Sequence, residues 1–191
     1  MKILKALLSL SCISILTSSL SCAAEPYPTK TFDAVYQMSG PQGNHTMRMV
    51  SDGKGHMRSE TSANGQKFIT ITDYPAHVAI TLMEAQKMAI KTPLKSTTDE
   101  PVTDEASARK HNARSLGSKV VLGHPCKGWQ YTAPEGQSEV WVGDDIGYLV
   151  RSTNTSSAGT MTMDLKTFSG GAPSQDLFAV PPGYHYMPTG M

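Results

Sequence analysis

The chain has 191 residues, with 17 Lys and Arg against 16 Asp and Glu, a formal charge of +1, and 17% charged residues. Near-neutrality removes the cationic field that nucleic-acid binding needs, so nucleic acid is excluded as a partner. So low a charged fraction also excludes a disordered polyelectrolyte, and the length suits one folded domain.

Residues 1–24 open with Lys2 and Lys5, continue through an uncharged run of mostly Leu, Ile, Ala and Ser, and end on Ser21-Cys22-Ala23-Ala24. This is the order of a secretory signal, and the run is too short and Ser-rich for a comfortable membrane span. Cleavage after Ala24 is expected, leaving 25–191 as one domain in the periplasm. A lipidated Cys22 would instead make the product an outer-membrane lipoprotein. Loss of the leader removes Cys12 and Cys22, so Cys126 has no internal disulfide partner.

From 31 onward, short alternating or β-branched runs recur about every ten residues between turn clusters. Strands are expected at 31–38, 45–51, 56–62, 66–73, 77–83 and 87–92. Asp52-Gly53 and Asn64-Gly65 are the firmest hairpin signals, because these residues accept positive φ cheaply. Between 103 and 116, acidic residues lead, basic ones follow and Gly117 closes, which predicts one helix with a thin apolar face of Val102, Ala106, Ala113 and Leu116. Further strands are expected at 119–122, 126–132, 138–143, 148–155 and 160–168. The Gly- and Pro-rich tail offers one turn at Asp176-Leu177-Phe178 and an extended run at 180–183. About eleven antiparallel strands with one inserted helix are too many to stay flat, so a mainly β domain curled into an unclosed half-barrel is expected.

Lys87-Met88 after a tight turn, Gly123-x-x-Cys126 leading into Trp129, Val140-Trp141-Val142 followed by Asp144-Asp145-x-Gly147, and Leu177-Phe178-x-x-Pro181-x-Gly183-Tyr184 together carry a resemblance. They resemble an uncharacterised family of secreted bacterial proteins within the LolA-like (lipoprotein-carrier) superfamily. The resemblance runs from about Phe32 to Tyr184. It implies an unclosed β-barrel with a helical lid and an apolar cavity for acyl chains; it supplies no catalytic or binding residue, and function inferred from it is analogy.

Methionine is the odd count, 11 in all, several spaced by two along expected strands. Flexible thioethers suit either an adaptable core or a cavity that repacks around apolar ligands. The cavity reading names Tyr36, Met38, Met47, Met49, Phe68, Trp141, Met161 and Met163 as its lining. The ligand would be a lipid or a lipoprotein acyl chain, bound by a monomer without cofactor or catalysis. A different reading is a soft-metal site for monovalent copper on His45-x-Met47-x-Met49 with Met161 and Met163, and His185-x-Met187 repeats the pattern. A third is a scaffold for an envelope protein, with no small ligand. His124 and Cys126 flank Pro125 in a turn setting that does not activate a thiol, and adjacent Asp144 and Asp145 read as a polar turn, so no enzyme is expected.

Overall fold

The computed structural model describes residues 27–63, 65–94, 102–134 and 136–187. The expected leader, with Cys12 and Cys22, lies outside them. Six strands run as a meander: β1 (Thr31–Gly40), β2 (Gly43–Asp52), β3 (His56–Ala63), β4 (Gln66–Asp73), β5 (Val78–Met83) and β6 (Met88–Pro93). Helix α1 (Glu105–Lys110) precedes a second meander of β7 (Arg114–Val121), β8 (His124–Ala133), β9 (Gly136–Gly143), β10 (Leu149–Ser156) and β11 (Gly159–Ser169). Strand β11 pairs back onto β1 and joins the two meanders. A 3-10 turn, Gln175–Phe178, leads to β12 (His185–Tyr186), which adds parallel to β6. Among the described residues this makes one unclosed twelve-stranded sheet in the order β12-β6-β5-β4-β3-β2-β1-β11-β10-β9-β8-β7.

The helix is shorter than its charge pattern predicts. Asp104 caps it by accepting from the Ser107 amide, and the Ser107 hydroxyl returns the contact to the Asp104 amide. It ends at His111 because Asn112 turns left-handed at φ 51°, and Ala113 N–H then donates back to Ala108 O. This is a Schellman closure with Asn in the usual place of Gly. Gly117, the expected stop, instead sits beside a bulge where β7 shifts register on β8. Strand starts also move. His77 and Lys87, expected to open strands, hold left-handed turn positions at φ 52° and 51°, and Leu122 leaves its expected strand for the same conformation at φ 50°.

Two apolar clusters hold the sheet. On one face, Phe32, Ala34, Tyr36, Trp129, Val140, Val150, Met163 and Leu165 pack with Val102 and Ala108 from the helical segment. We call this the inner face. The Tyr36 hydroxyl donates to Leu149 O at 3.0 Å, reaching from β1 past β11 to β10, and Phe32 stacks on Tyr148 at 5.0 Å. Register shifts at Val35/Tyr36 and Leu149/Arg151 bend the sheet where these contacts form. On the opposite, outer face, Ile69, Ile71, Leu82 and Ala89 are buried by Phe178, Val180 and Tyr184 of the tail. Arg58 fixes that tail: its guanidinium donates to Leu177 O at 3.0 Å and to Glu60 at 2.6 Å.

Leu122 and Gly123 form a two-residue hairpin with both φ positive, a geometry that suits Asn-Gly and strains Leu by about 1 kcal/mol. Leu122 is 46% exposed, so little packing offsets that strain. Leu122→Asn is expected to stabilise the fold by about 0.5–1 kcal/mol, seen as a higher denaturant midpoint at unchanged slope.

Candidate functional site

Side chains of directly paired residues share a face, so the strand register sorts the sequence-derived site residues. One transverse row runs Leu165, Tyr36, Met47, Thr61, Phe68, Met83, Met88 from β11 to β6. The next runs Phe168, Ala34, Met49, Ser59, Thr70, Thr81, Ile90 through the same strands. Met163 stands opposite Met38, which stands opposite His45. Met161 shares the face of Met163, two residues along β11. The inner face therefore gathers Tyr36, Met38, Met47, Met49, Phe68, Met161 and Met163.

Burial divides that face. Its β8–β11 and β1 part is filled: Tyr36 and Met163 lie in the core, and α1 closes over it, with His111 against the Tyr131 ring at 5.2 Å. Burial first of all, against the hydrogen bonds with Ser138 and Val102, pushes the Tyr131 hydroxyl above its ordinary range, and burial does the same to Tyr36, so both stay neutral. Across β2–β6 the face is open except at the Ser51–Met57 end, where both residues are buried. Met38, Met47 and Met49 pack half-buried against the core, and beyond them Met83, Met88 and Ile90 are half-buried while Phe68 is 47% exposed. Met161, 42% exposed, lies apart at a small cleft of about 190 Å³ with Pro41 and Asn154. The lining expected from the sequence omits Met83 and Met88. Only the register reveals that they continue the row of Met47 and Phe68.

Trp141 is not on this face. It pairs with Gly128 on β8 and Arg151 on β10, among outer-face residues. Its indole N–H donates to Glu139 at 2.6 Å, and the Lys119 ammonium sits 3.7 Å from its ring. Val140, Trp141 and Val142 are all buried, so alternation carries no signal of which face each takes. Gly128 makes room for the ring, since a Cβ there would stand 2.5 Å from it. Of the remaining sequence candidates, the His124 imidazole pairs with Asp145 at 2.8 Å, while the buried Cys126 thiol donates to His124 O. Burial, the largest influence, pushes that thiol up. Among the described residues, no three His, Cys, Asp or Glu side chains converge as a metal site. Gly128→Ala is expected to destabilise by about 1–3 kcal/mol by forcing the indole off Glu139 and Lys119, measurable by denaturant unfolding and Trp fluorescence.

The fold is similar to that of an uncharacterised conserved protein from Thermus thermophilus, at 10% identity and a TM-score of 0.62, over 83% of this chain and 90% of that one. A chain of the Pseudomonas aeruginosa MucA/MucB complex superposes at 14% identity and a TM-score of 0.51, over 80% of this chain and 56% of that one. A LolA superfamily protein from Nitrosomonas europaea matches at 9% identity and a TM-score of 0.40, over 80% and 91%. No curated relative matches the sequence. Residues 34–149, from β1 into β10, match a family described as a domain of unknown function, DUF4412. That match spans more than half of the sequence, and the chain therefore belongs to the DUF4412 family.

Proposed function

We propose that the protein is an exported, single-domain binding protein or carrier for an apolar ligand, a lipid or a lipoprotein acyl chain, and acts by sequestration without catalysis. The observation that supports this most is the placing of methionine. All eight methionines in the described strands, Met38, Met47, Met49, Met57, Met83, Met88, Met161 and Met163, fall on the inner face by register. The outer-face core uses Ile69, Ile71, Ile80 and Leu82 instead. Stiff branched chains fill the outer cluster, while six of the eight thioethers lie where the inner face is partly or wholly exposed, Met57 and Met163 being buried in its core.

The open row has the dimensions for an acyl chain. Met47 to Met88 spans four strand spacings, about 19 Å. One bilayer leaflet holds about 15 Å of hydrocarbon. Each methylene taken out of water contributes about 0.8 kcal/mol, so an ordinary chain binds without a polar anchor. Protein purified without detergent is expected to carry extractable lipid and, once stripped, to take up a fluorescent fatty acid. Phe68→Asp is expected to weaken that uptake at least tenfold with little loss of stability, since the side chain is half exposed. No lipid and no uptake, or equal uptake by the variant, overturns the reading.

The register also favours a second reading. His45, Met38 and Met163 stand side by side on β2, β1 and β11, with Met47 on the same face, a soft donor set suited to monovalent copper. Copper titrated under reducing conditions should then bind the protein and bind His45→Gln with Met38→Leu at least tenfold more weakly. Unchanged affinity in that double variant removes the copper reading and leaves the lipid one standing. The third reading, an envelope protein partner, predicts neither uptake.

A further inference from the structure

The strand register separates charge as sharply as it separates methionine. The four carboxylates of β1–β6, Asp33, Asp52, Glu60 and Asp73, and the four cations, Arg48, Arg58, Lys67 and Lys91, all fall on the outer face. There Arg48 pairs with Asp33, and Arg58 and Lys67 pair with Glu60. The inner face of these six strands therefore meets whatever covers it without a carboxylate, an ammonium or a guanidinium.

What that face does carry is hydroxyls. Ser59, Thr70 and Thr81 stand opposite one another on β3, β4 and β5, each half-buried. Neighbouring strands lie about 4.8 Å apart, so the three form a short ladder of donors. It runs beside Thr61, Phe68 and Met83, two residues or about 7 Å along the same strands. Among the described residues, no side chain or backbone group bonds any of the three hydroxyls. Half-buried as they are, solvent meets them until a guest arrives. A guest lying over Met47, Phe68 and Met83 takes that water away, and a buried hydroxyl left without a partner costs more than its hydrogen bond contributes. The guest must then bring acceptors of its own. A carboxylate accepts strongly, but no cation on this face offsets its desolvation. An ester carbonyl accepts too and gives up far less hydration.

Resting on the reading of the open face as an acyl-chain site, we propose that Ser59, Thr70 and Thr81 set its specificity. The guest is a neutral acyl ester whose carbonyl oxygens accept from this ladder, and a free fatty acid is held by its chain alone. A glyceride, with several ester groups close together, matches the ladder most fully.

A pyrene-labelled fatty acid and its methyl ester, titrated into lipid-stripped protein at neutral pH, test this. The ester is expected to bind at least tenfold more tightly. Any greasy surface favours an ester over an ionised acid, so the deciding variant removes the hydroxyls and keeps the shape. Ser59→Ala with Thr70→Val and Thr81→Val retains the branching that suits strands. It makes the face more apolar, yet is expected to weaken the ester at least tenfold and leave the acid within threefold, and the retained acid binding shows that the variant folds. Thr81→Lys, which places a cation on the face, is expected to reverse the order of the two probes. Ester binding unchanged or tightened in the triple variant, or equal wild-type affinities for acid and ester, overturns the proposal, while acid uptake still supports the acyl-chain reading. Uptake of neither probe by the wild-type protein overturns both.

Discussion

The hydroxyl of Tyr36 reaching Leu149 is the contact on which the shape of the sheet turns. A single strand pairing, β1 with β11, joins two meanders that would otherwise be independent. Pairing alone sets neighbours and leaves curvature free. The fully buried Tyr36 ring, stepping over β11 to bond the β10 backbone, fixes how far β1 and β10 lean together. Because burial raises the hydroxyl's pKa, it remains a donor at any ordinary pH, and the contact loses nothing by titration. Phe32 against Tyr148 repeats the span further along β1, and the bulges at Val35/Tyr36 and Leu149/Arg151 supply the bend it needs.

That curvature decides which surfaces are covered. On the β8–β11 side the inner face closes on itself under α1, so rings and branched chains fill it. On the β2–β6 side the inner face stays open beyond the buried Ser51 and Met57. Those strands still bury apolar residues, but on the other face, where the tail folds back over Ile69, Ile71, Leu82 and Ala89. The buried Arg58 makes this possible, since its charge is met by Glu60 and the carbonyl of Leu177. The tail also ends the sheet: His185 and Met187 amides donate to Lys87 O and Ala89 O, covering the β6 edge that would otherwise be exposed.

Most of this architecture was legible in the sequence where a local rule governs it. Period-two runs and Gly-containing turns mark eleven strands, because half-buried strands must alternate. The failures share a cause. Asn112 ends the helix in a left-handed closure ahead of the Gly117 that the pattern favoured, and His77, Lys87 and Leu122 take left-handed turns that their side chains do not advertise. Strand β12 is two residues long and parallel, so neither length nor alternation marks it. Among the site residues, Phe68 and the methionines fall on one face because their strands follow clean parity, whereas Trp141 lies in a stretch buried on both faces, where parity says nothing.

The composition of the two faces argues for different work on each. Were methionine only filler, it would serve both clusters, since the outer core is as apolar as the inner one. It is instead absent from the outer core, where Ile69, Ile71 and Leu82 are almost wholly buried and lock against the tail. Branched residues lose little on packing because their rotamers are already few, and they suit a surface with one fixed partner. Thioethers keep their freedom on a surface whose partner varies or comes and goes. An open face floored with methionine beside a closed face floored with isoleucine is thus the arrangement expected if the sheet holds its own tail permanently on one side and a changeable apolar guest on the other.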